Sequence, residues 1–65
     1  MQNEIRFINE KEVSRITGMA VQTLRNWRSQ GEGIPYAKVS RSVRYKYQDV
    51  ITYMEERIVT PRNQS

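Results

Sequence analysis

The chain has 65 residues, with 11 Lys and Arg against 7 Asp and Glu for a formal charge of +4. That length allows one domain at most, and a core drawn from 37% hydrophobic residues rarely supplies more than about 3–5 kcal/mol. Cysteine and histidine are both absent; this excludes disulfides, thiolate zinc sites, Ser-His-Asp triads and most acid–base machinery, and leaves a small binding module with no cofactor or metal as the expectation, not an enzyme.

No apolar run approaches the roughly 20 residues that span a bilayer. The opening Met1-Gln2-Asn3-Glu4 is polar and acidic, unlike a signal peptide, so the expected location is cytoplasmic. The charge is unevenly spread. Residues 1–24 are balanced and residues 48–65 are slightly acidic, whereas Arg25, Arg28, Lys38, Arg41, Arg44 and Lys46 face only Glu32 within residues 25–47. A localised basic surface attracts polyanions.

In chain order, Ile5, Phe7 and Ile8 make a short apolar point, too brief to define a strand. A helix is predicted over 10–17. Asn9 can cap it and Glu12 sits at the third helical position, a variant of the capping box. Ile8 and Val13 have the spacing of a hydrophobic staple. Val13 and Ile16 are expected to face inward. Gly18 ends this helix, because glycine readily takes positive φ, and Thr17-Gly18-Met19-Ala20 is a tight connector. A second helix is predicted over 21–30, stopping at Gly31. On a helical wheel Val21, Leu24, Trp27 and the stem of Arg28 share one side; Gln22, Arg25, Asn26 and Ser29 share the other, with no acid among them.

Glu32-Gly33-Ile34-Pro35 reads as a loop. A hairpin follows, Tyr36–Val39 and Val43–Tyr47 about Ser40-Arg41-Ser42. Its aromatic and β-branched residues suit strands, and Val43, Tyr45 and Tyr47 alternate with Arg44 and Lys46. The turn has no glycine or asparagine, which leaves its type open. A third helix is predicted over 49–58. Asp49 complements its dipole, and Val50, Ile51, Tyr53, Met54 and Ile58 form its apolar stripe. Residues 59–65 read as a flexible tail beyond a domain spanning 1–58, since Thr60 to Ser65 contain Pro61 and no core former.

Two short helices joined by a glycine turn have helix-turn-helix geometry; the second helix of that motif fits the major groove. Arg25 can bond bidentately to guanine, and Gln22 or Asn26 to adenine, each pair giving about 1–3 kcal/mol of discrimination. Any surface helix displays polar residues, so the glycine turn and the absence of acids add the weight. The basic hairpin, with Arg41 at its tip and Lys38, Arg44 and Lys46 on its strands, suits a wing that lies along phosphates and sends an arginine into the minor groove. Its bland alternative is an edge strand protected by charge. Trp27, Tyr45 and Tyr53 could form a stacking platform for single strands, but in so short a chain aromatics are needed for the core. Glu55, Glu56 and Asp49 have no base or metal partner.

Glu12-Val13, Thr17-Gly18-Met19-Ala20-Val21-Gln22-Thr23-Leu24-Arg25-Asn26-Trp27, Gly31, Pro35, Lys38, Val43-Arg44-Tyr45, and Asp49-Val50 through Tyr53-Met54 together resemble the excisionase/AlpA-like helix-turn-helix proteins, small relatives of the MerR-type winged helix. The resemblance covers about residues 5–57. It implies a mainly α fold with three helices and a two-stranded wing, and sequence-specific binding of double-stranded DNA. It also implies a phage or mobile-element setting, with a role in excision or in transcriptional regulation. Ala20 and Gln48 depart from it, standing where the family usually has a serine before a helix, and the Gly31-Glu32-Gly33 loop is slightly long. The chain is accordingly expected to act as a monomer or weak self-associate. Gln22, Arg25 and Asn26 would read bases; Thr23, Arg28, Lys38, Arg44 and Lys46 would hold phosphates; Arg41 would probe the minor groove. The stem of Arg28 can alternatively cover the core. Integrase or further copies of the chain are the expected protein partners. The rival readings are the DNA-recognition module of a phage terminase small subunit, which would continue into an oligomerisation region, and a protein-interaction module docking through helix three.

Overall fold

The computed structural model describes residues 5–61. In chain order they form β1 (Phe7–Ile8), α1 (Glu10–Thr17), α2 (Val21–Gln30), β2 (Ala37–Val39), β3 (Ser42–Lys46) and α3 (Tyr47–Glu55). The reading of residues 1–4, and that of the tail over 62–65, lie outside the described residues; residues 59–61 are exposed and form no regular element.

The helix-turn-helix is built locally. The Asn9 Oδ1 accepts the Glu12 N–H at 2.9 Å and so satisfies a donor that the first turn leaves open. The Glu12 carboxylate ion-pairs with Arg15 at 3.2 Å. Gly18, at φ 77°, ends α1 in the left-handed region. Side chains stitch the turn that follows: the Ser14 hydroxyl donates to the Met19 carbonyl at 2.6 Å, and the Thr17 hydroxyl donates to the Val13 carbonyl at 2.8 Å while accepting from the Met19 N–H at 3.2 Å. The connector is thereby held against α1. α2 then starts from Ala20, which is extended and offers no side-chain cap, and no acid sits in its first turn.

The hairpin is tighter than its sequence suggests. Ser42 belongs to β3 and pairs with Val39, leaving Ser40 and Arg41 as a two-residue turn with Ser40 at φ 58°. β1 adds a third antiparallel strand, giving the order β1-β3-β2. Pairing places Ile8 beside Tyr45 and Phe7 beside Lys46, and Lys38 beside Val43 and Ala37 beside Arg44. Because paired residues share a face, Ile8, Tyr45, Val43 and Lys38 lie on one side of the sheet, with Phe7, Lys46, Arg44 and Ala37 on the other. The wing is therefore tied to the rest of the domain through β1.

α3 differs from expectation at both ends. It starts at Tyr47, directly after β3 and two residues before the predicted start, because the Tyr47 N–H finds the Arg6 carbonyl at 2.8 Å. Gln48 is inside this helix, bonded to Thr52 at 3.2 Å, and does not occupy a cap. The regular helix ends at Glu55, where the Arg57 N–H turns back to Met54 and the Ile58 N–H to Glu55. Ile58 consequently leaves the apolar stripe and is 70% exposed.

The core draws Ile8, Val13, Leu24, Ile34, Tyr45 and Val50 from β1, α1, α2, the loop, β3 and α3 respectively, with Trp27, Val43, Tyr47 and Tyr53 against it. Ile16 stands at the rim, 36% exposed, instead of inside. Trp27 and Tyr53 meet at 6.0 Å between ring centroids, which puts these aromatics in the packing between helices, not on a stacking platform.

Gly33 closes the loop over Trp27. At φ 90°, a Cβ there would sit 2.6 Å from the indole Cε3 and 3.0 Å from the Trp27 Cβ. Gly33→Ala is expected to combine backbone strain with overpacking, costing ~2–4 kcal/mol. At about 4–8 °C per kcal/mol for a domain of this size, thermal unfolding followed by circular dichroism should show a midpoint lower by at least about 8 °C; an unchanged midpoint would contradict this packing.

Candidate nucleic-acid interface

α2 presents Gln22, Arg25, Asn26 and Ser29 to solvent, all exposed, while Leu24 is buried and Val21, Trp27 and Arg28 are partly buried. The wheel thus divides the helix as its sequence suggests. The Gln22 Nε2 donates to the Asn26 Oδ1 at 3.0 Å, which uses one donor and one acceptor and leaves each amide with further groups for a base edge. Thr23 is partly buried in the first turn, its N–H donating to the Ala20 carbonyl at 3.0 Å.

Beside α2 lies a cleft of about 400 Å³, lined by Asn9 and Glu10 at the start of α1, by Arg25 and Arg28 of α2, and by Arg41 through Arg44 of the hairpin. Four arginines from two segments far apart in the chain therefore converge on one concavity. Such a concentration raises the local density of an anionic partner. Arg41 stands at the turn, at the outer end of the hairpin. Arg44 donates from Nη1 to the Val43 carbonyl at 2.9 Å, which keeps its guanidinium close to the strand.

Two lysines do not join this cleft. Lys46 lines a separate hollow with Phe7, Pro35, Tyr36, Ala37 and Asp49. Lys38 is exposed and lies on the opposite face of the sheet from Arg44 and Lys46. Lys46 shares its face of β3 with Arg44 but stands two residues further along the strand, toward α3. The central excess of positive charge is thus an arginine cleft with lysines apart from it.

An acid enters the cleft from another element. Glu10 accepts from the Arg25 Nε at 3.3 and 3.2 Å and from its Nη2 at 2.6 Å, and also from the Arg28 Nη2 at 3.2 Å. Arg28 is held at its other end by the hydroxyl of the buried Tyr45, at 2.7 Å, and its side chain is only 17% exposed. Arg28 is therefore an internal tie with its fork occupied on both sides, a use of the guanidinium that neither the phosphate reading nor the reading of its stem as core cover includes. The hydrogen bond from Arg25 is the main cause holding the Glu10 carboxyl below the usual carboxylate range; partial desolvation opposes it and Arg28 assists. The same pairing raises Arg25 above its ordinary value.

Glu10 and Tyr45 are the site residues that the sequence does not reveal. Glu10 is legible as an acid favouring a helix N-terminus, and Tyr45 as a core aromatic. Their contacts to α2 span 15 to 18 residues, beyond any helical or strand spacing.

A group of three or more potential metal ligands is absent among the described residues, and no described helix is long and apolar enough to cross a membrane. The family model described as helix-turn-helix domain matches residues 7–58, from β1 past the end of α3. The chain belongs to this family of excisionase/AlpA-like small DNA-binding proteins, and its three helices and antiparallel sheet form a winged helix-turn-helix. Neither the curated proteins nor the solved structures contain a match to it.

Because the folded state holds Glu10 at a lowered pKa, the pairing contributes stability above the carboxylate range of the unfolded chain. That contribution is lost as pH falls through the lowered pKa of the folded state. Denaturant midpoints measured from neutral to acidic pH should decline in that window. Glu10→Gln should flatten the decline, and an unaltered pH profile in that variant would contradict the pairing.

Proposed function

We propose that this protein binds double-stranded DNA sequence-specifically, with α2 in the major groove and the hairpin as a wing. It would serve as a transcriptional regulator or as an excision factor of phage or mobile-element type. The observation that carries the reading is the arginine cleft between α2 and the hairpin, next to a helix whose exposed face bears Gln22, Arg25 and Asn26.

In this reading Gln22, Arg25 and Asn26 address base edges. Thr23, at the first turn of a helix with no side-chain cap, lies where a phosphate is favoured by the unpaired N–H groups and the helix dipole. Arg44 meets backbone phosphates from the cleft and Arg41 reaches a narrow minor groove from the turn. Lys38 and Lys46 add long-range attraction, and Arg28 fixes the cleft from below. A module of this size buries only about 600–1,000 Å² on DNA. Adjacent copies of the chain or an integrase are the partners that would raise its affinity and specificity, and both excision and regulation use such assemblies.

Fluorescence anisotropy of a labelled duplex over a range of salt tests the reading. With Arg44 on backbone phosphates and Arg41 in the minor groove, log K should fall linearly with log[salt], with a slope of about −0.9 for each phosphate contact. A salt-independent affinity, or no affinity for duplexes at any salt, would contradict it.

A further inference from the structure

The recognition helix has no acid on its exposed face, yet one is present in the cleft. Glu10 comes from α1 and takes two donors of Arg25, Nε and Nη2. A guanidinium has two useful edges, the side formed by Nε and one terminal nitrogen, and the end formed by the two terminal nitrogens. Glu10 fills the side of Arg25 and leaves the Nη1/Nη2 end, the fork that matches the O6 and N7 of guanine. The exposures agree with this direction: the Arg25 side chain is 54% exposed, against 20% for Glu10. The carboxylate is recessed and the fork projects beyond it.

The carboxylate is itself held. Arg28 bonds it from below and is anchored in turn on Tyr45, a residue 1% exposed in the core. Position is therefore relayed from the core through Arg28 and Glu10 to Arg25. Charge acts in the same sense. A carboxylate against Arg25 cancels its net charge nearby and repels a phosphate, whereas a guanine edge is neutral and offers its two acceptors unopposed.

We infer that Glu10 is a positioning residue for base recognition, which orients Arg25 end-on toward a guanine and keeps it from serving as a phosphate ligand. The inference rests on the DNA-binding reading above and assigns the selectivity within it. Released from Glu10, Arg25 is a mobile cation that contacts any phosphate within reach.

The test starts with duplexes selected from a random library by the wild-type protein. Each guanine is then exchanged for adenine or 7-deazaguanine, and Arg25→Ala identifies the base pair whose discrimination depends on Arg25. At that pair Glu10→Gln is expected to lower discrimination about tenfold, within the 1–3 kcal/mol of a bidentate contact. It should also tighten binding to unrelated duplexes and steepen the salt slope by about 0.9, the signature of one added phosphate contact. In the Arg25→Ala background the same substitution should change neither discrimination nor slope. Should Glu10→Gln melt below the assay temperature, Glu10→Asp serves instead. It keeps the negative charge but falls one methylene short, and should still lose discrimination at the same pair. Unchanged discrimination in both Glu10 variants, or an equal loss with and without Arg25, would overturn the inference while leaving DNA binding intact. Failure of the wild-type protein to select any duplex would overturn the DNA-binding reading, and this inference with it.

Discussion

The domain turns on a chain of polar contacts that begins at a hydroxyl inside its core. Tyr45 fills the centre of the sheet and brings an O–H into a region with almost no water, where an unpaired polar group costs about 1–3 kcal/mol. Arg28 satisfies it and in doing so draws a cation into partly buried surroundings. A buried charge requires a partner, and Glu10 supplies it. Each contact answers the cost created by the one before. Together they join β3, α2 and α1, three elements that separate segments of the sequence contribute. The roll of α2 about its axis, and its distance from the hairpin, are fixed at this point more narrowly than hydrophobic contact alone would fix them, because charge-assisted hydrogen bonds are directional.

That tie explains why the cleft exists. Leu24, Val43 and Tyr45 belong to the common core beneath α2 and the hairpin. In the packing that the Arg28 tie holds, Arg25, Arg41 and Arg44 line a common concavity. Repulsion among these guanidinium groups would open the surface if nothing offset it. Glu10 provides the offset at the closest pair and leaves the outer arginines with undiminished charge. A family of small DNA-binding domains thus appears here with an acid built into its basic surface, and the acid holds the cleft together where an unopposed cluster of cations would spread.

The helices of the motif were readable because their signals are local. Asn9, Gly18 and Gly31 mark boundaries within one turn of the residues they cap, and α2 runs from Val21 to Gln30 as its periodicity implies. Less local features were not readable. β1 is two residues long and owes its existence to β3, almost forty residues later. The start of α3 depends on the Arg6 carbonyl, a partner no nearby residue announces. Ile16 and Ile58 have the spacing of core residues, but the small core is filled before it reaches them. The exposed face of α2 was legible from the wheel, whereas the fates of its arginines were not. Arg28 is absorbed by Tyr45 and Glu10, and Lys46, though on the same face of β3 as Arg44, lines a different hollow. Charge counted along a sequence gives the total of a basic surface; its division among faces is set by the sheet register.

Amide chemical-shift mapping during titration with a duplex reports most directly on whether the cleft is the surface that receives DNA. Recognition through it predicts the largest shifts at Gln22 through Asn26 and at Ser40 through Arg44, with small changes along α3. Largest shifts from Met54 through Val59, with residues 22–26 unmoved, would contradict it.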